Sequence, residues 1–347
     1  MPVISSLTLN ARMTLNLHNL NNEGTEGNQQ QTRMVHILRA RSNGTEAGPS
    51  RGEDFEHTVV NAVSGDMFKH ILVEHLIPLL AEAGQPLSPG AALHDADRIN
   101  ANNPAFVDFC EKEQEFRLNG RVERRRAYES EIMSRMLAEC SATDLAGALV
   151  TRGRAVGRKS VAEIGWVVGV PDNTVTEQYF HVKYAPEGRG RAAGGESVAG
   201  QQAIFHRPAS SGQYAFIANL DLWRVGLNDI TRELVVSAND RRARARALLQ
   251  AMAATLLKPA GAQRNTQNPH IMDCQGVIAT SNNSLPAPTV SPLVDDYRQQ
   301  IERTKDACNR LCPDTITLYS FDSLAEGVDV LATLADRLEL PGAPDHG

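Results

Sequence analysis

No stretch of this 347-residue chain is apolar over the roughly 20 residues that a membrane-crossing helix needs. The opening MPVISSLTLNARMTLNLHNL also lacks an unbroken apolar run of the signal-peptide kind. The expectation is a cytoplasmic protein with no membrane partner. Metal-binding patterns are equally thin. Five cysteines are an odd number, and their one close pair, CNRLC (308–312), has no histidine near it to complete a zinc site. Free thiols in a reducing compartment follow. His70 and His75 lie five apart in HILVEH, the wrong spacing for one helical ligand face, and HExxH is missing. GxSxG and GxxxxGK[ST] are missing too. GRGRAAGG (188–195) shares only the composition of a phosphate loop. The chain is therefore expected to need no catalytic residue, metal or cofactor.

What is present begins with charge. Hydrophobic residues at 41% suffice for a real core, and the net charge is −6. From Asp295 onward 11 acidic residues face 5 basic ones, so the whole excess lies there and the preceding chain is neutral. Within that neutral body arginines cluster in RLNGRVERRR (117–126), TRGRAVGRK (151–159) and RRARAR (241–246). A neutral body with local basic patches is compatible with polyanion binding at one surface. A solvated helix face gives RRARAR equally well.

Residues 3–17 alternate apolar and polar and read as a strand, and RMVHILRAR reads as a second. Between them LHNLNNEGTEGNQQQTRM (17–34) reads as a polar loop. NGTEAGPSRGEDFEH (43–57) is turn-rich. A third strand then runs into a helix capped by Ser64, with Asp66 in its first turn and Met67, Phe68, Ile71, Leu72 and Leu76 on its buried face. Residues 86–147 read as mostly helical. SVAEIGWVVGV and TEQYFHVKYAP are strands, residues 187–212 a long projecting loop, and QYAFIANLDLWRVG a strand. A helix capped by Asn239 and two further helices close the chain.

This order implies an α+β fold with helices on one face of an antiparallel sheet, of the ferredoxin-like or RRM-like kind. Residues 86–147 are either an inserted subdomain or a set of surface helices. Two segments suit phosphate. TRGRAVGRK offers Arg152, Arg154, Arg158 and Lys159 with two glycines and no acid, which favours close backbone approach. SGDMFKH places free helix-terminal amides beside Lys69 and His70, although a capped core helix with incidental surface charge fits it as well.

The segments LHNLNNEGTEGNQQQTRM, NAVSGDMFKH, GWVVGVPDNTVTEQYFHVKY and SSGQYAFIANLDLWRVG, in that order over roughly residues 5–235, resemble the CRISPR-associated autoregulator family of DevR type. Members are backbone subunits of type I Cascade surveillance complexes. The resemblance implies a modified RRM-like palm over 1–80 and 146–347, a helical finger insertion at 81–145 and a projecting thumb loop at 185–213. It also implies copies stacking into a filament on one CRISPR RNA, beside other Cascade subunits and a target DNA strand paired to the guide. A Leu-Asn-polar element maps to Leu20, Asn21 and Asn22, with Asn19 beside it. A Ser/Gly…Lys-basic element maps to Ser64, Gly65, Lys69 and His70, the last departing from the usual second cation. The thumb signature maps to Gly200, Gln202, Phe205, Ser210, Ser211 and Gly212, with Ile204 or Phe205 as the apolar wedge between bases. Arg33 and the 152–159 group join the RNA-binding candidates on charge and placement. Two rival readings are a type III-like subunit that cuts target RNA with Asp66 and a metal, and a transcriptional regulator.

Overall fold

The computed structural model describes residues 3–40, 55–118, 121–183, 203–262 and 264–342. In chain order they form β1 (Ser6–His18), β2 (Asn22–Glu26), β3 (Gln29–Thr32), β4 (Met34–Ala40), β5 (Phe55–Val63) and α1 (Gly65–Glu82). Then come α2 (Pro89–Ala92), α3 (Pro104–Glu111), β6 (Gln114–Leu118), β7 (Arg121–Arg125), α4 (Glu129–Glu139) and α5 (Ser141–Ala146). Next are β8 (Ala148–Val150), β9 (Val156–Arg158), β10 (Ala162–Ile164), β11 (Val167–Lys183) and β12 (Ala203–Leu220). The rest is α6 (Ala238–Leu257), α7 (Arg264–Gln267), β13 (His270–Ser281), α8 (Tyr297–Leu311), β14 (Ile316–Phe321) and α9 (Leu324–Arg337). None of these helices is long and apolar enough to cross a membrane.

The fold is α+β, built on one large sheet in the order β14-β13-β1-β12-β11-β5-β4. Its pairings are antiparallel, apart from a parallel contact between His206 and Gln29. β1 shows why it occupies the centre. Leu7, Leu9, Ala11, Met13 and Leu15 enter the main core on one face, where Phe68 of α1 meets Phe216 of β12 edge to face, with ring centres 5.3 Å apart. Thr8, Asn10 and Arg12 point the other way and are also covered. The Thr8 hydroxyl donates to Pro288 O at 2.7 Å, Val290 N donates to Asn10 Oδ1 at 3.0 Å, and Arg12 Nε donates to Pro292 O at 2.7 Å. Both faces of β1 are thus closed, one by apolar packing and one by satisfied hydrogen bonds.

Several expectations need correction. Helices do not keep to one face: α8 packs Tyr297 and Ile301 against Val277 in a second small cluster, whereas the neighbouring Ile278 belongs to the main core. β13 and β14 were not foreseen, although β13 lies directly beside β1. Residues 86–147, read as mostly helical, also hold a two-stranded β6–β7 hairpin. Ser237, not Asn239, caps α6, its hydroxyl accepting from Asp240 N at 3.1 Å. Residues 203–212 belong to β12 rather than to a loop. The remainder of that expected loop, and residues 43–54 of the turn-rich segment, lie outside the described residues. Residues 81–145 share one core with the rest of the chain, since Phe106, Ile132, Met136 and Leu145 join the same cluster as Leu9 and Phe216.

Candidate nucleic-acid interface

Beyond Leu15 the register of β1 shifts against β12. Leu17 takes φ +54°, and its N–H donates to the Ser211 hydroxyl at 3.0 Å. The bulge turns His18 and Asn19 inward. His18 stacks edge-on to Tyr214 at 4.8 Å. Leu20 N donates to its Nδ1 at 3.5 Å, which leaves the neutral ring's proton on Nε2. Burial lowers the His18 pKa to about 4. Asn19 is 2% exposed. Neither atom of its amide, nor His18 Nε2, has a hydrogen-bond partner among the described residues.

The amide-rich stretch is a hairpin rather than a loop: β2 and β3 pair across a two-residue turn at Gly27 and Asn28. Asn22 Oδ1 accepts from Gly24 N at 2.9 Å, a local turn bond that fixes the exposed side chain. Gln178 of β11 donates to Gln30 O at 2.9 Å, and His206 N donates to Asn28 O at 2.9 Å, so the hairpin is fastened to the β11–β12 ribbon. Asn21 joins it to α1. Its buried Oδ1 accepts from Ser64 N at 3.2 Å, while the Ser64 hydroxyl accepts from Met67 N at 3.2 Å. Gly65 has no room for a side chain, because a Cβ there would collide with the Ile164 carbonyl oxygen. The two family-mapped elements, Leu20–Asn22 and Ser64–His70, therefore form one structural unit.

Charge around that unit is uneven. Lys69 is half-buried and makes no ion pair within 4 Å among the described residues. Its pKa is lowered, first by burial and then by the nearby Arg98, against the pull of Asp66 and Glu163. His70 is exposed and 3.9 Å from Glu74. Arg33 pairs with Glu23 of β2 and lies over the Trp166 ring, 5.3 Å from its centre. Trp166 is 45% exposed and was missed in the sequence, although GWVVGV sets it just before a strand.

The 151–159 group is not brought to this unit as a stripe. Arg154 pairs with Glu129 of α4 at 3.0 Å, and Arg152 lies 3.9 Å from Glu111 of α3. Lys159 pairs with Glu163 at 2.6 Å. Arg158 must be withdrawn as a nucleic-acid contact. Its side chain is 0% exposed and pairs with Asp144 and Asp229, each at 2.8 Å. It also donates to Leu227 O and Arg224 O. Gly153 serves packing rather than phosphate, for at φ +68° a Cβ would collide with Cys110 O.

Above the palm β11 and β12 continue as a two-stranded ribbon out to Lys183 and Ala203. Ile204 pairs with Val182. Phe205 stacks on His181 at 5.6 Å, with Arg207 4.8 Å over its ring. Ser210 and Ser211 sit at the ribbon's base, bonded to Thr176 at 2.8 Å and to Leu17 N. Gly200 and Gln202 of the thumb signature lie outside the described residues. Phe180, 59% exposed, was not singled out in the sequence.

The sequence profile described as CRISPR-associated negative auto-regulator DevR/Csa2 matches residues 9–302. No curated protein matches the sequence. A solved structure titled "CRISPR RNA-guided surveillance complex, pre-nicking" is similar at TM-score 0.51 and 12% identity, over 95% of this chain and 100% of that one. Another, titled "CRISPR RNA-guided surveillance complex", gives TM-score 0.44 and 11% identity, over 96% of this chain and 99% of that one. At such identity the first likeness is one of fold, and the second falls too low to add weight.

Proposed function

The chain belongs to the CRISPR-associated DevR/Csa2 family, and on that premise we propose that it is the CRISPR-RNA-binding backbone subunit of a type I Cascade surveillance complex. Several copies stack along one guide RNA, bind the other Cascade subunits, and hold the guide open for pairing with a target DNA strand. The protein holds the strand and does not cut it.

The observation that carries this reading is the union of the amide-rich hairpin with the start of α1. Asn21 ties them at Ser64, Lys69 stands one turn further with no carboxylate in pairing range among the described residues, and the β11–β12 ribbon rises from the same unit. Amides, a half-buried cation and an exposed aromatic suit a strand gripped by backbone and shape, with base edges left free. A unit built on charge alone would bind any polyanion without fixing its path. The ribbon bearing Ile204 and Phe205 supplies the wedge that interrupts base stacking, and the exposed Asn22 and His70, with the partly buried Ser64, Gly65 and Lys69, line the strand's path.

The test is to purify the protein with its genomic neighbours and sequence the RNA that travels with it. Repeat-derived RNAs of uniform length are expected, and a nucleic-acid-free monomer would overturn the reading. Adding complementary RNA and magnesium to the same complex addresses cleavage. Regularly spaced cuts that vanish in Asp66→Ala would make the protein a nuclease instead.

A further inference from the structure

Trp166 belongs to neither family-mapped element, yet it stands beside both. The residue before it, Gly165, abuts Gly65 at the start of α1, and the residue after it, Val167, is fully buried at the first position of β11. The backbone on both sides is therefore fixed while the indole projects. Arg33 lies over the ring, and Glu23 of the hairpin holds the Arg33 side chain. The Arg33 carbonyl is held as well, accepting from Ala62 N and Asn61 Nδ2, each at 3.0 Å. The arginine is thus spent as a charge and retained as a planar cover for one side of the indole.

We propose that Trp166 is a stacking platform for one nucleobase of a bound single strand, with Arg33 as the positioning residue that sets the plane of the ring. This rests on the RNA-holding reading and adds a residue to it. A base has a π face whatever its identity, so a platform of this kind grips without reading sequence, as a guide of changing sequence requires. A second protein copy is the competing occupant. It would have to desolvate the Arg33–Glu23 pair beside the ring, whereas a stacked base covers the indole and leaves that pair at its edge.

The chain has two tryptophans, so a Trp223→Phe background leaves Trp166 as the single indole reporter. Titration with a short oligouridylate is expected to quench its emission, and an abasic ribose-phosphate oligomer of the same length is expected to bind without quenching. Trp166→Ala should weaken oligouridylate binding on the order of tenfold, with abasic affinity unchanged, and Trp166→Tyr should restore most of the loss. Binding of both oligomers with no change in emission would overturn the platform and leave the RNA reading standing. No binding of either by the parent protein would overturn both. A concentration-dependent emission shift without RNA would assign the indole to a second copy and overturn the platform.

Discussion

Arg158, Arg241 and Arg244 look like surface cations in the sequence and are buried in the fold, while the asparagines and glutamines of the β2–β3 hairpin look inert and remain largely at the surface. The arginines converge on a few acceptors. Asp144, wholly buried, takes Arg158 at 2.8 Å, Arg244 at 2.9 Å and Gly226 N at 3.0 Å. Arg241 donates to three carbonyls, of Val225, Trp223 and Pro341. These bonds join α5 of the insertion, β9, the loop after β12 and α6 into one block. The hairpin, by contrast, is held by backbone bonds and a few amide tethers, and most of its polar groups are left for a ligand. These buried arginines therefore mark the seam where residues 81–145 meet the rest of the chain, and the proposed RNA face is marked by amides, a half-buried lysine and one tryptophan.

The largest effect that would break this contrast is at Asp144. Asp144→Ala removes the carboxylate shared by two buried guanidinium groups and leaves Arg244 without a counter-ion among the described residues, and the expected loss is about 3–5 kcal/mol, enough to unfold a typical domain or nearly so. Urea unfolding measures it. Arg158→Ala should destabilise comparably without selectively weakening RNA binding. If instead that variant kept its urea midpoint and lost RNA affinity, Arg158 would return to the nucleic-acid face.

His18 tests the hairpin side. The unfolded chain binds a proton at this ring below its ordinary pKa of 6.5, whereas the folded chain does so only near 4. Stability should therefore fall as pH drops through 6.5 and level off near 4, with a total of about 3 kcal/mol from this residue. His18→Gln should flatten the urea midpoint over that window. An unchanged acid limb would place the ring in water.

Much of the fold was legible because β1, β5 and α1 follow simple hydrophobic periods, and Ser64 was readable as a cap from one residue. β13 was not, because His270, Asp273 and Gln275 dilute its first half before the apolar run through Ile278. Its partner strand supplies the reason it forms, and a partner is invisible to local pattern. The buried arginines did leave a signal. Arg241, Arg244, Leu248 and Met252 recur at three or four residues, the spacing of one α6 face, and all four are buried. The hairpin–helix unit was legible only as two separate segments, since the Asn21–Ser64 bond spans 43 positions. Trp166 gave no sign, because exposure of a single aromatic depends on what folds around it.

Lys69 should give a smaller effect than either buried group. Because no carboxylate among the described residues pairs with it, Lys69→Ala is expected to leave the urea midpoint nearly unchanged. The slope of log affinity against log salt should flatten by about 0.7, the share of one phosphate contact on a single strand. An unchanged slope would remove Lys69 from the RNA path.

The smallest effect is expected at Arg152 and Arg154, and a near-zero result there carries information. Both are partly exposed and reach acids of the insertion, Glu111 at 3.9 Å and Glu129 at 3.0 Å. Exposed pairs of this kind contribute about 0–1 kcal/mol, so Arg152→Ala and Arg154→Ala should shift the urea midpoint only marginally. If cation density drew RNA to this chain, the Arg152→Ala/Arg154→Ala double variant would lose as much affinity as Lys69→Ala or more. If the strand follows the hairpin and the start of α1, that variant should bind with parent affinity and the parent salt slope. Measuring the double variant and Lys69→Ala side by side on one RNA sets two cations of the basic run against a single lysine that stands alone. Greater loss in the double variant would move the binding path onto the seam between insertion and palm.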